Sequence, residues 1–159
     1  MAQLNRTKAS PWQLKTPPGT AAFTMHVDEK DGRKILVCTV GGLGYWFLPG
    51  GRARFGEPGE AALARELAEE LGHRLPVGRL ALVVENIYRG PGIEHEIGLY
   101  YQVAWPAGLA EDDLAGGTEP GHRFRWLPLA DLAAIRFEPA GLIPVLQRPG
   151  DGPRHVVLS

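Results

Sequence analysis

The chain has 159 residues, of which 44% are hydrophobic and 22% charged, an ordinary composition for a single globular domain. Its 17 basic and 18 acidic side chains leave a formal net charge of -1, so no bulk field attracts a polyanion. Cys38 is the only cysteine, which excludes an internal disulfide. No window approaches the roughly 18 apolar residues of a membrane span, and the N-terminus lacks a secretory signal. We therefore expect a cytoplasmic protein with neither a nucleic-acid nor a membrane partner.

The first half of the chain combines strand patterns with one helix. Asp31-Gly32 lies between two apolar runs, and this dipeptide is typical of hairpins. Gly72 follows the clearest helical periodicity in the chain and is placed where that helix should end. The elements predicted in this half are an irregular N-terminal arm (1–19), strands (21–27, 34–40 and 45–48), a loop (49–59) and a helix (60–71).

The second half is mostly β-rich and has no linker that would divide it. Its predicted elements are strands (79–88, 94–105 and 122–127), a turn (89–92), a polar loop (106–121) and two short helices (129–135 and 139–147). The order of strands and helices predicts an α+β fold in which helices flank a mixed sheet. We expect one domain over 20–148, followed by a C-terminal tail over 149–159.

The predicted helix gathers acidic side chains on one side. At about 100° per residue, Glu66, Glu69 and Glu70 fall within a sector roughly 100° wide. Because like charges at i,i+4 repel, Glu66 and Glu70 need compensation, and Mg²⁺ is the hard cation that carboxylates commonly share with substrate phosphates. Gly50 and Gly51 precede the helix and leave the backbone open to a metal or phosphate. The alternative is a solvated acidic helix face.

The same stretch resembles the Nudix box, whose pattern is G-x5-E-x7-R-E-U-x-E-E-x-G-U, where U is aliphatic. One position departs from the pattern, because His73 replaces the last aliphatic residue. The resemblance implies a Nudix-type α/β/α sandwich with a mixed sheet, in which the catalytic helix follows a glycine-rich loop. The matching residues are Gly51, Glu57, Arg65, Glu66, Leu67, Glu69, Glu70 and Gly72.

The resemblance also implies a reaction and roles for these residues. Nudix enzymes hydrolyse nucleoside diphosphates linked to another moiety, here a nucleotide sugar, a dinucleoside polyphosphate or a nucleoside triphosphate, and they use Mg²⁺, for which Mn²⁺ can substitute. Glu66 resembles either a further metal ligand or the general base, and Arg65 resembles the arginine that orients Glu57. The metal ligands carried over are Glu69, Glu70, Glu66 and the carbonyl of Gly50.

The resemblance also implies that substrate specificity is set by residues outside this motif. Arg52 and Arg54 are candidate phosphate contacts, with ordinary exposed arginines as the alternative. Tyr88 weakly resembles a tyrosine of the diadenosine polyphosphate class. In this family the base is also supplied by a downstream glutamate, and Glu96 is a candidate both for that role and for substrate binding. The other downstream candidates are Glu94 and Glu119.

Two hypotheses that assign the chain a different kind of function remain open at this point. A noncatalytic nucleotide-binding or regulatory module can keep the Nudix fold, although such proteins usually lose the box carboxylates. An isoprenyl diphosphate isomerase shares the fold and needs a catalytic cysteine, but Cys38 lies in an apolar run that predicts a buried strand. Many relatives form homodimers, and no residue pattern in this chain demonstrates one.

Overall fold

The computed structural model describes residues 19–25, 27–28, 34–89, 93–104, 120–148, 150 and 152–159. Within these residues two 3₁₀ helices, Leu129–Ala134 and Ala140–Leu142, accompany two α-helices, α1 (Gly59–Leu71) and α2 (Ile143–Leu146). The strands are β1 (Gly19–Met25), β2 (Val27–Asp28), β3 (Lys34–Val40), β4 (Gly50–Arg52), β5 (Val77–Arg89), β6 (Ile93–Val103), β7 (His122–Pro128) and β8 (Arg154–Leu158).

The strands form two sheets. The larger sheet has the order β4-β1-β6-β5-β8, with parallel pairs β1/β6 and β5/β8 and antiparallel pairs β1/β4 and β5/β6. The smaller sheet has the order β2-β3-β7 and is antiparallel throughout. The predicted α+β class, with a mixed sheet and a helix after a glycine-rich loop, is confirmed.

Strand β3 lies between the two apolar clusters of the core. Ile35 and Val37 pack into the cluster that covers β5 and β6, while Leu36 and Cys38 pack against α1. All four side chains are buried. Burial on both faces explains why β3 is a continuous apolar run instead of an alternating one.

Helix α1 matches its predicted bounds to within one residue. Gly72 ends the helix with a φ of 73°, and its N–H donates to the carbonyl of Ala68 at 3.1 Å. This is the left-handed conformation that glycine adopts without a Cβ penalty. Leu63 and Leu67 are fully buried, so the leucine stripe anchors α1 and fixes where its carboxylates lie.

Two predictions before α1 were wrong in detail. Residues 45–48 form isolated bridges instead of a strand, with Cys38 opposite Phe47 and Trp46 opposite Phe137. The Trp46 N–H donates to the carbonyl of Arg136 at 2.8 Å, so this segment joins two parts of the fold without continuing a sheet. The predicted loop over 49–59 begins with β4, which pairs with β1.

The region predicted as a C-terminal tail contains β8. This strand pairs in parallel with β5, with Leu82 opposite Arg154 and Asn86 opposite Leu158. The structure also divides the strand predicted over 21–27 between β1 and β2, in different sheets, and much of the two predicted C-terminal helices is 3₁₀. The domain boundaries stay a prediction.

Several predictions lie outside the described residues: most of the N-terminal arm, both hairpin turns and most of the polar loop. Among the helices described, none is long and apolar enough to cross a membrane.

Candidate active site

The loop between β4 and α1 is closed by two hydrogen bonds between the same two residues. The Arg54 N–H donates to Oε2 of Glu57 at 2.9 Å, and the Glu57 N–H donates to the carbonyl of Arg54 at 3.0 Å. Gly56 turns the chain between them with a φ of 82°, a conformation that favours glycine. The loop therefore directs the carboxylate of Glu57 back toward α1.

The guanidinium of Arg65 holds three carboxylates of the motif together. It donates to Glu57 from Nε and Nη2, at 2.9 Å each, in a bidentate pair. Its Nη1 donates to Glu66 at 2.7 Å and to Glu69 at 3.3 Å. Bidentate, charge-assisted pairs are the strong and directional ones. We call Arg65, Glu57, Glu66 and Glu69 the Arg65 cluster.

The Arg65 cluster changes the titration of its members. The side-chain hydrogen bond from Arg65, followed by the backbone N–H of Arg54, lowers the pKa of Glu57 to about 2. The same bond with Glu57, together with Glu66, raises the pKa of Arg65. Glu57 therefore stays ionised well into the acidic range, paired with Arg65.

Gly51 lies directly against the carboxylate of Glu66. A Cβ atom at position 51 would be 2.4 Å from both Cδ and Oε2 of Glu66, closer than any real contact. The absence of a side chain at Gly51 is therefore required for the observed position of Glu66. The backbone of β4 and the carboxylate of Glu66 consequently meet at Gly51, the residue after Gly50.

Glu70 occupies a different environment from the Arg65 cluster. Only 4% of it is exposed, and its Oε1 lies 3.7 Å from Nε2 of His122 at the start of β7. Burial, with a further contribution from the Glu70 charge, raises the pKa of the Cys38 thiol. Cys38 is thus buried and held protonated, which opposes the isomerase alternative.

The proposed metal ligands fit Mg²⁺ by chemistry. Glu66, Glu69 and Glu70 supply hard carboxylate oxygens from one helix, and a glycine-rich backbone lies against one of them. Across the residues the structure describes, however, no three acidic, histidine or cysteine side chains converge as a ready-made cation site. Arg65 occupies Glu66 and Glu69 instead, so a cation would have to compete with its guanidinium for both.

The candidate substrate-binding residues fall into two groups. Arg54 is exposed, and its Nη2 lies 3.6 Å from Oε1 of Glu69, beside the Arg65 cluster. Arg52 accepts a hydrogen bond from Arg65 through its carbonyl at 3.1 Å, and its charge acts on Glu96. Glu96 lies on β6 and Tyr88 on the neighbouring strand β5. Of the alternative bases, Glu119 and the side chain of Glu94 lie outside the described residues.

The sequence interpretation missed two polar residues near these groups. Asn86 is 6% exposed on β5, and His122 is the neighbour of Glu70. The signal for Asn86 was present, because an amide inside the apolar stretch of β5 must find a hydrogen-bonding partner if it is buried. His122 gave no comparable signal, since nothing local to β7 indicates that it would meet α1.

Comparison with known proteins supports the family that the motif resembles. The NUDIX domain family model matches residues 17–148. A MutT-like protein of Streptomyces ambofaciens is 32% identical over 82 residues, which are 52% of this chain and 53% of that protein. The match thus spans about half the length of that curated relative.

Solved structures extend the likeness over more of the chain. A MutT NUDIX hydrolase from Burkholderia pseudomallei is 30% identical, with a TM-score of 0.59, over 74% of this chain and 88% of that one. The MutT protein of Methanosarcina mazei Go1 has a TM-score of 0.62 over 85% and 94% of the two chains, and at 19% identity it supports the fold alone. Because the NUDIX family model covers most of the chain, and the Burkholderia pseudomallei hydrolase is 30% identical over most of both chains, the chain belongs to the Nudix (MutT-like) hydrolase family.

Proposed function

We propose that this protein hydrolyses a phosphoanhydride bond in a nucleoside diphosphate linked to another moiety, in a Mg²⁺-dependent reaction. The observation that carries the proposal is the Arg65 cluster, in which one guanidinium orients the motif carboxylates beside an open glycine backbone. Family membership supports pyrophosphohydrolase chemistry in general. Cytoplasmic location and a homodimer stay predictions from the sequence.

The role proposed for each residue follows from where its side chain lies. Glu69 and Glu70 are the principal Mg²⁺ ligands, with Glu66 and the Gly50 carbonyl beside them. When bound, the cation would neutralise diphosphate charge and lower the pKa of the attacking water. Arg65 keeps Glu57, Glu66 and Glu69 in position, and the exposed Arg54 is free to turn toward a phosphate, where guanidinium pairing is strong.

Glu66 has two roles in this proposal that a measurement can separate. As a ligand, its carboxylate would set the affinity for Mg²⁺. As the general base, it would accept the proton of the attacking water through an oxygen next to Gly51. Replacing it with glutamine tests both roles, because the amide keeps the shape and removes the charge and the basicity.

The experiment compares Glu70→Gln and Glu66→Gln with the wild type, and uses Glu60→Gln as a matched control. Glu60 is an exposed glutamate in the first turn of the same helix, outside the Arg65 cluster. The phosphorus-containing products of hydrolysis, a nucleoside phosphate and the phosphate of the other moiety, are followed by ³¹P NMR, and Mg²⁺ affinity by calorimetry. Glu70→Gln should lower kcat/KM by more than about 100-fold at fixed Mg²⁺, since loss of a mere supporting contact to a metal already costs 10–100-fold.

The outcomes assign Glu66 and test the proposal as a whole. If Glu66→Gln lowers kcat at unchanged Mg²⁺ affinity, Glu66 is the base; if the affinity falls, it is a ligand. Glu60→Gln should behave as the wild type in both measurements. Near wild-type turnover of Glu70→Gln at saturating Mg²⁺ would contradict the ligand assignment. A wild-type protein that binds nucleotides but forms no hydrolysis product would instead be the noncatalytic module.

A further inference from the structure

The face of β7 that packs against α1 is apolar except at its first residue, His122. Phe124 and Trp126 of β7 belong to the apolar cluster that contains Leu63 and Leu67 of α1. Side chains two residues apart on a strand point to the same face, so His122 continues this face. An imidazole in that position needs a polar neighbour, because a buried polar group without one destabilises the fold.

His122 contacts Glu70 of α1. Its Nε2 lies 3.7 Å from Oε1 of Glu70, and the two side chains are 15% and 6% exposed. The distance is longer than a hydrogen bond, but an electrostatic contact between largely buried groups is screened much less than one at the surface. Strand β7 therefore places an imidazole against one of the two carboxylate oxygens of Glu70.

The ring of His122 is itself held in place. It stacks on Phe124, with ring centroids 6.2 Å apart and an angle of 14° between the planes. In the strand register His122 is opposite Val40 of β3. The Gly41 N–H donates to the carbonyl of Gly121 at 2.9 Å, which ties the main chain just before His122 to the end of β3. The imidazole therefore has a defined position from which it can restrict the carboxylate beside it.

The carboxylates of α1 are thus contacted by two different groups. Arg65 donates hydrogen bonds to Glu66 and Glu69, whereas His122 reaches Glu70 from β7. Residues that contact a metal ligand commonly set its orientation, and a site binds its metal well only when the ligands are oriented in advance. Because Glu70 is one of the two principal ligands proposed above, its orientation should affect the affinity for Mg²⁺.

Resting on the function proposed above, we propose that His122 is a positioning residue, which holds one carboxylate oxygen of Glu70 toward the imidazole and leaves the other for Mg²⁺. The imidazole acts through Glu70, without touching the substrate or the attacking water. Loss of the imidazole should therefore weaken Mg²⁺ binding and have little effect on the chemical step once the cation is bound.

The test measures Mg²⁺ affinity by calorimetry on the protein without substrate, a measurement independent of turnover. His122→Phe keeps a ring that can stack on Phe124 and removes the nitrogen that faces Glu70. It should weaken Mg²⁺ binding by about 10- to 100-fold, the usual effect of losing a group that orients a metal ligand. His122→Gln places an amide nitrogen near the position of Nε2 and should recover part of the affinity.

Two further measurements show whether His122 acts through Glu70. In the Glu70→Gln background, His122→Phe should cause no additional loss of Mg²⁺ affinity, because the carboxylate that the imidazole positions has been removed. In His122→Phe alone, saturating Mg²⁺ should restore most of kcat. Loss of a group that transfers protons in the reaction would instead lower kcat by about 100-fold or more at any Mg²⁺ concentration.

His155→Phe is the matched control. His155 also contacts a glutamate, with its Nε2 2.7 Å from Oε1 of Glu85, but it lies on β8 of the larger sheet, whereas His122 lies on β7 of the smaller one. The same substitution there removes a histidine–glutamate contact in which no proposed metal ligand takes part. Mg²⁺ affinity should therefore match that of the wild type.

Unchanged Mg²⁺ affinity in both His122→Phe and His122→Gln would overturn the inference. A loss of affinity on His122→Phe that is as large in the Glu70→Gln background as in the wild type would do so as well, because His122 would then act independently of Glu70. The proposed function survives both results if Glu70→Gln itself weakens Mg²⁺ binding and lowers turnover. If Glu70→Gln binds Mg²⁺ as the wild type does, the ligand assignment fails and the inference fails with it.

Discussion

Glu66 and Glu70 lie one turn apart on α1, yet their surroundings differ in kind. Glu66 belongs to the Arg65 cluster, where a guanidinium balances the carboxylates and water has partial access. Glu70 is 4% exposed and lies among core residues, with Cys38 and His122 as neighbours. The rotation between positions i and i+4 is only about 40°, and it is enough to turn one carboxylate toward the loop and the other inward.

The difference shows what helical spacing can and cannot predict. The spacing correctly placed Glu66, Glu69 and Glu70 on one side of α1. It did not predict depth, which depends on the elements that pack around the helix, or that Arg65 would hold Glu66 and Glu69 by itself. If the Arg65 cluster orients charge while Glu70 supplies a buried ligand, changes to the two regions must have different effects.

Of the changes that separate the Arg65 cluster from Glu70, removal of Arg65 should have the largest effect. Arg65→Met leaves Glu57, Glu66 and Glu69 as mutually repelling carboxylates, so kcat/KM should fall on the order of 100-fold through misplacement alone, and Tm should fall as well. Steady-state kinetics and thermal unfolding of the same preparation measure both effects. Arg65→Lys is the control for charge, and it should recover part of the stability but little activity, because an ammonium cannot form the bidentate pair. A wild-type rate in Arg65→Met would show that the cluster has no part in orientation.

Adding one methyl group at Gly51 tests the difference between Glu66 and Glu70 more finely, because it moves Glu66 alone. In Gly51→Ala the Cβ would collide with the Glu66 carboxylate, so we expect kcat/KM to fall by about tenfold, roughly 1.4 kcal/mol of transition-state stabilisation. Gly41→Ala is the matched control, because its Cβ would have no neighbour closer than 3.9 Å. Equal kinetics for the two variants would mean that the position of Glu66 does not matter.

The smallest expected effect concerns the pH dependence of the Arg65 cluster. The pKa of Glu57 is lowered from 4.5 to about 2, so its ionised form stabilises the fold above pH 4.5, and this contribution is lost as the pH falls through about 2. The difference in Tm between the wild type and Glu57→Gln should be full at pH 7 and shrink steadily below pH 4.5. A difference that is the same at pH 7 and pH 3 would contradict the assigned pair with Arg65.

Local patterns predicted those parts of the fold that local interactions decide. The bounds of β3 were correct because its apolar run is buried on both faces, and α1 ended at Gly72 because glycine alone suits the left-handed turn. Strand β4 was missed because Gly50 and Gly51 carry no side chains to show an alternation, and its pairing with β1 depends on distant residues.

The same reasoning applies to the candidate site. The motif placed Glu57, Arg65 and Glu66 together, and the structure shows the hydrogen bonds that join them. The contact between Glu70 and His122 and the pairing of Asn86 with Glu96 bring together residues far apart in the chain. Such contacts follow from sheet order and register, which single-sequence patterns do not specify.

Strand β8 limits how far the C-terminus of the domain can be truncated. The family match ends at residue 148, but Arg154–Leu158 completes the edge of the larger sheet, and Leu158 packs so close to Gly141 that a Cβ there would be 2.8 Å from its Cδ2. A fragment trimmed to the family boundary would leave the backbone of β5 as an open edge, the kind of surface that recruits other chains. Expression of this domain should therefore retain the last residues of the chain.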